Sequence, residues 1–468
     1  MWPAVSRRRW PRPGSSRGRD DATSVTAPAP DEPAPPESTG NPKQVAWLSV
    51  GTVLIGVSGY VFLALIGHGR FDATDAAALS SVYLLSLILG PGLFVAVEQE
   101  SSRLVSSSLA ADTRPGPAAR RSGRVAVLIA AMTLVLFTAA IPMLTGSLLN
   151  DEISLAVLLG VTIAGSAALF WLRGLAGGQR RFGSYAVTLL LDAGIRIVGC
   201  VGLAVAGVTD AYWFALAYCI APPLAALIVI LRPRTRQLEV PARPVPGAAI
   251  ASFRTVLRHT LSLLVASAAS MCMANLAPVV VHATLTTEPE VSFAFTTAVI
   301  LTRVPLLLMG PVQAVVLPRL TAAVTMGDLV AFRRGLHRGL LIIGGIGVAA
   351  VIGALLLGRF AIELLFGPAA DLMSAGRIGV LALAAAVQAA ILLVQPGLVA
   401  LRRHQGVLAG WLAGMVAFGL AFTLPLPPLD RATVAQLVGP VVTLAVHLLW
   451  VRTGSAAPSR AGESSGRR

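Results

Sequence analysis

Uninterrupted apolar stretches of about 18 or more residues recur along the whole chain, and each is long enough to cross roughly 30 Å of hydrocarbon as an α-helix. With 55% hydrophobic residues, only 13% charged residues and a mean hydropathy of +0.76, the chain is far too apolar for a soluble surface, so the bilayer must be its solvent. A β-barrel would show short alternating segments instead. The predicted fold class is therefore all-α and integral to the membrane.

Apolar runs between polar breaks predict twelve transmembrane helices, near 45–67, 76–98, 125–146, 153–176, 184–207 and 210–231, then near 259–281, 290–316, 338–357, 376–400, 405–423 and 434–451. They form two lobes, 45–231 and 259–452, joined by an arginine-rich cytoplasmic linker at 232–258. Residues 1–44 are rich in Pro, Ser, Arg and Asp and lack an apolar stretch, which predicts a disordered basic tail rather than a signal peptide; 453–468 is a second such tail.

A net charge of +15 could point to nucleic acid, but the placement of the basic residues decides its meaning. With a cytoplasmic amino terminus, only Arg70, Arg359, Arg377 and Arg431 of the 37 Lys and Arg residues fall in loops on the far side, and Arg173, Arg196 and Arg303 lie within or at the end of helices. This asymmetry follows the positive-inside rule. It predicts a multi-pass protein of the plasma membrane with both termini cytoplasmic and no nucleic-acid partner.

Cys200, Cys219 and Cys272 lie in apolar segments without CxxC spacing or His partners, and the six histidines are dispersed, so neither a disulfide framework nor a metal site follows. No nucleotide loop or nucleophile motif appears, and no loop is long enough for a catalytic domain, the longest extracytoplasmic one lying near 358–376. The chain reads as a transporter rather than an enzyme, without a cofactor.

An internal repeat organises the chain. Gly90-Pro91 in the second helix is matched by Gly310-Pro311 in the eighth at an offset of 220, and Arg180-Arg181 after the fourth helix by Arg402-Arg403 after the tenth at 222. Six helices per repeat keep both copies the same way up, so the expected architecture is two parallel six-helix repeats around a central cavity. Pro91 and Pro311 predict helix kinks, serving either as hinges or as static packing. Gly51, Gly56 and Gly59 on the first helix, and Ser262, Ala266 and Ser270 at four-residue spacing on the seventh, are candidates for close packing or for a cavity lining.

Ionisable groups deep in a membrane helix mark candidate sites. Arg303 lies too deep in the predicted eighth helix to snorkel easily, and its planar fork suits a phosphate or pyrophosphate. The alternatives are a structural ion pair or bonds to helix carbonyls. Arg196 in the fifth helix has Asp192 one turn earlier on the same face, an ion pair that is either structural or open to competition by a substrate phosphate. Asp192 is the one acid expected well inside a helix, and a proton-coupled mechanism would have to use it alone. Asn275, Gln313, Gln388 and Gln395 could bind sugar hydroxyls or bond between helices. Glu98, Gln99, Glu100 and Arg103 read as a cytoplasmic charge network or gate.

Gly90-Pro91 through Arg103, Arg173-Gly174-Leu175 through Arg181-Phe182, Arg303-Val304-Pro305 through Leu317-Pro318-Arg319, and Leu365-Phe366-Gly367-Pro368 leading to Leu401-Arg402-Arg403 are individually unspecific. In order and spacing, over about 45–452, they resemble the multidrug/oligosaccharidyl-lipid/polysaccharide exporter superfamily, particularly its polysaccharide-flippase branch. The resemblance implies alternating access, with an undecaprenyl-pyrophosphate-linked glycan moved from inner to outer leaflet, the lipid bilayer around it, and glycan-assembly enzymes as possible partners. It also implies a cationic cavity, which the deep arginines fit. The competing reading is a cation-coupled multidrug exporter, although the cavity carboxylates usual in that branch are mostly missing.

Overall fold

A computed structural model describes residues 42–455 apart from 70, 111, 112, 114, 233–251, 305, 307–319, 321, 322, 325, 368–370 and 402. Pro311, Gln313, both tails up to 41 and from 456, and most of the linker thus lie outside the described residues. Among those described, every regular element is a helix: α1 (Pro42–His68), α2 (Ala73–Leu89), α3 (Pro91–Ala110), α4 (Gly116–Leu148), α5 (Ile153–Gly178), α6 (Phe182–Val205), α7 (Ala211–Cys219), α8 (Ala221–Leu231), α9 (Phe253–Thr284), α10 (Pro289–Leu301), α11 (Leu329–Phe366), α12 (Ala375–Ala400), α13 (His404–Ala421) and α14 (Pro428–Ser455). Ten segments are long and apolar enough to cross a membrane, α2 with α3 and α7 with α8 each making one, while α10 and α13 are shorter apolar helices. Together they occupy the twelve expected places.

Local chemistry explains the boundaries. Asp72 caps α2 by accepting the Asp75 N–H at 2.7 Å, and that backbone bond, with the Thr74 hydroxyl, holds its carboxyl below the usual range. At the other end the Gly90 N–H reaches Ser86 O at 2.9 Å, its ψ of −95° leaves the helix, and Pro91 opens α3 without needing an N–H partner. The expected kink at Pro91 is a break. In the same way α7 and α8 meet at Ile220, before Pro222 and Pro223.

Several sequence expectations shift. The predicted second helix continues beyond residue 98 to Ala110, because Ser101 and Glu100 are covered by neighbouring helices and their polarity does not end the turn. Within the predicted eighth helix α10 ends at Leu301, where the Arg303 N–H bonds Ile300 O in a turn, and the stretch 307–316 lies outside the described residues. On α9 the stripe Ser262, Ala266, Ser270 is exposed or half-buried, and the buried stripe is one position round the helix at Ala269, Met273, Ala277 and Val281.

Glycines set the closest helix approaches. A Cβ at Gly51 would stand 2.8 Å from Leu189 Cβ on α6, and one at Gly59 2.6 Å from the Tyr83 hydroxyl on α2. On α5, Gly174 and Gly178 receive α3: a Cβ at Gly174 would lie 2.5 Å from Glu98 O and 3.0 Å from Glu98 Cα. Backbone cannot step aside as a side chain can, so Gly174→Ala should lower stability by about 1–3 kcal/mol. Gly194→Ala, at a helical position with nothing within 4 Å, should leave stability unchanged or slightly raised. Thermal melting of both variants in detergent checks the pair, and equal melting would mean α3 and α5 are not packed this closely.

Candidate functional site

The interior polar groups gather around two guanidinium centres. At the first, Asp192 on α6 pairs with Arg196 one turn later, Arg196 Nε lying 3.1 Å from Asp192 Oδ1, and also with Arg173 of α5, whose Nη2 donates to Oδ2 at 3.0 Å. The Arg196 contact is an ion pair by distance, but its angle does not make a hydrogen bond. Arg173 Nε also donates to Thr188 Oγ1 at 3.1 Å. Arg196 Nη1 donates to the Tyr218 hydroxyl at 2.7 Å, with its Cζ 4.2 Å from the ring centroid of the same tyrosine. All three charged side chains are buried. Within this trio one carboxylate lies between two guanidiniums, which stack on Tyr218 and Phe170, and the Glu98 carboxylate of α3 is within electrostatic reach of Arg173.

The second centre is Arg303, in the turn that follows α10. Its Nη1 donates to Asn275 Oδ1 at 2.9 Å, while Nη2 is buried with no hydrogen-bond partner among the described residues. Asn275 on α9 is itself buried and anchors its amide on Met271 O at 2.9 Å. Among the described residues, the other titratable groups within electrostatic reach of this guanidinium are the phenols of Tyr60 and Tyr83. Tyr60 donates to Ile300 O at 2.9 Å and so helps hold the end of α10. Tyr83 stands between the centres, within electrostatic reach of both Arg196 and Arg303, and packs edge-on to Tyr218 with centroids 5.8 Å apart. The structure thus links Arg196, Arg303 and Asn275 through an aromatic wall of Phe62, Tyr83 and Tyr218.

Of the remaining candidates, Glu98 borders the first centre through Arg173 and the others lie apart. Glu98 accepts from the Tyr185 hydroxyl of α6 at 2.5 Å, and buried Glu100 takes two bonds from Arg103, at 2.8 and 2.6 Å, with His259 of α9 3.8 Å away. At the opposite end of α9, His282 Nδ1 is 2.5 Å from Ser81 Oγ of α2. Because α3 runs on to Ala110, Asp192 is not the sole acid inside a helix. Glu98 nevertheless sits about 38 Å along from Ala73 by helical rise, at the far end of a 30 Å core. Gln388 is buried, and Gln395 accepts from Trp411 Nε1 of α13 at 3.1 Å, a bond between helices. Sequence reasoning did not find Tyr60, Tyr83, Tyr218 or the Arg173 to Asp192 pair; the signal available was that Arg173 is a third charge within the helices. Among the described residues no group of three His, Cys, Asp or Glu could hold a metal ion.

No protein-family model matches the chain. It is 29% identical to an uncharacterized protein of Mycobacterium tuberculosis over 387 residues, 79% of this chain and 83% of that one, and 28% identical to an uncharacterized protein of Mycobacterium bovis over 423 residues, 86% and 91%. Among solved structures, an inward-facing multidrug resistance MATE family transporter of the MOP superfamily matches with a TM-score of 0.62 at 12% identity, covering 88% of this chain and 97% of that one. A eukaryotic MATE transporter matches at 0.62 and 14%, covering 88% and 98%. The chain has a MATE-like transporter fold. An outward-facing MATE structure also matches, at 0.54 and 17% over 88% and 96%, so the resemblance in architecture spans both conformations.

Proposed function

We propose that the chain is a membrane transporter that moves an undecaprenyl-pyrophosphate-linked oligosaccharide or polysaccharide precursor from the inner to the outer leaflet by alternating access between its two six-helix halves. It would sit in the plasma membrane with both termini cytoplasmic, as the arginine distribution requires. The observation that carries the reading is the Arg303 guanidinium, whose Nη2 is buried with no hydrogen-bond partner, and which has no carboxylate partner, among the described residues, so that an anionic headgroup would supply the counter-charge. Arg196 and Tyr218 extend the positive region across Tyr83. In support of an anionic over a cationic cargo, Asp192 already faces two arginines.

The MATE-like fold makes a cation-coupled multidrug exporter the second reading. Both are tested by reconstituting the full-length protein in liposomes. Transbilayer movement of a polyprenyl-pyrophosphate-linked sugar is measured beside the same polyprenol carrying an uncharged head and beside efflux of a cationic dye. The expected result is movement of the pyrophosphate lipid alone. Dye efflux driven by a cation gradient, with no lipid movement, would make the protein a drug exporter instead.

A further inference from the structure

Two helices are far too long for the bilayer. α4 has 33 residues and α11 has 38, about 50 and 57 Å, against roughly 30 Å of hydrocarbon. Both carry several arginines within their first ten residues. At an offset of 214, Arg120 corresponds to Arg334 and Arg124 to Arg338, and all four are exposed. Under the same offset Ala118 matches Phe332, Ser122 matches Leu336, Val125 matches Gly339 and Ile129 matches Ile343, and all eight are buried. The same presentation is therefore built twice, once in each repeat.

Residues four apart lie one above the other on a helix, so each arginine pair forms a vertical stripe with a rise of about 6 Å. On α4 the stripe continues into Val127 and Val135, 68% and 69% exposed; on α11 it continues into Leu341 and Val348, both 62% exposed. Bare aliphatic surface of this kind on a membrane helix faces acyl chains, which places the arginines at the level of the lipid headgroups.

Contacts along the bundle put both starts at one end. Trp171 near the end of α5 donates to Ala119 O of α4, and α5 runs alongside α3, whose Glu100 faces His259 at the start of α9. At the opposite end His282 of α9 meets Ser81 of α2, and the close of α1 at Gly67 packs on Phe366, the last residue of α11. At that end Arg359 is paired with Asp371 and Arg377 with Asp430, at 2.9 Å for the latter. None of Arg120, Arg124, Arg334 and Arg338 has a carboxylate partner among the described residues.

We infer that the first three turns of α4 and α11 form two equivalent binding sites for the headgroup of an anionic phospholipid, in the leaflet that the arginine distribution assigns to the cytoplasm. At each site the lipid phosphate accepts from the guanidinium forks while its acyl chains lie along the aliphatic stripe above. The sites are independent of what the transporter carries.

The test uses full-length protein in phosphatidylcholine nanodiscs doped with spin-labelled phosphatidylglycerol or spin-labelled phosphatidylcholine, and reads the protein-associated fraction of each by electron paramagnetic resonance. The wild type should select phosphatidylglycerol, and each arginine changed to Gln should lower the relative affinity at its site by roughly fivefold at low salt. If the combined Arg120→Gln, Arg124→Gln, Arg334→Gln and Arg338→Gln protein fails to insert, Arg→Lys at the same positions should keep the selectivity, and raised ionic strength should reduce it in the wild type. Equal association of both lipids with the wild type, or selectivity that survives the Gln changes or high salt, would overturn the inference.

Discussion

Asp192→Asn should be among the most destabilising single substitutions in this protein, lowering stability by about 3–5 kcal/mol. The variant leaves Arg173 and Arg196 buried on either side of a neutral amide. Each has lost a carboxylate at 3.0 or 3.1 Å, and the Tyr218 hydroxyl and Thr188 Oγ1 that remain bear no charge. Repulsion between the two guanidiniums in a low dielectric, only partly offset by Glu98 near Arg173, adds to the desolvation that Asp192 now offsets. Melting of the purified variant in detergent measures the loss. Combining Asp192→Asn with Arg196→Gln should recover part of it, since one stranded charge is removed. Wild-type melting of Asp192→Asn would mean that the three charges are hydrated rather than buried together.

Arg303→Ala should do the reverse, removing transport and sparing the fold. Nη2 of this arginine is buried with no partner among the described residues, so the native state already bears the cost of an unsatisfied charged donor. Deleting it relieves that cost and, among the described residues, frees Asn275 Oδ1. If the guanidinium binds a pyrophosphate through two charge-assisted hydrogen bonds, its loss should slow movement of the lipid-linked sugar about 100-fold, equivalent to about 2.7 kcal/mol. Liposome transport and detergent melting on the same preparation check both halves. A large drop in melting temperature with transport retained would show the residue to be a structural post at the end of α10.

The amino-acid sequence by itself determined the class and the places of the apolar helices, because an apolar run of membrane length has one low-energy form in hydrocarbon, a helix that satisfies its own backbone. It also determined the Asp192 to Arg196 pair, which is set by helical spacing alone. The break at Gly90-Pro91 was legible for the same reason, since a missing N–H acts locally. What it could not determine was any relation between helices distant in the chain. Arg173 joins Asp192 only because α5 and α6 lie side by side, and Tyr83 reaches both Arg196 and Arg303 only because Gly59 lets α1 and α2 approach. Polarity misled in the same way: Glu100 and Ser101 looked like the end of a helix, but α3 continues through them because neighbouring helices cover them. Arg303 looked like the middle of a helix and is a turn. Hydropathy and spacing describe one helix at a time. Which charges are shared, and which is left without a partner, depends on how closely the helices pack, and only the tertiary structure decides that.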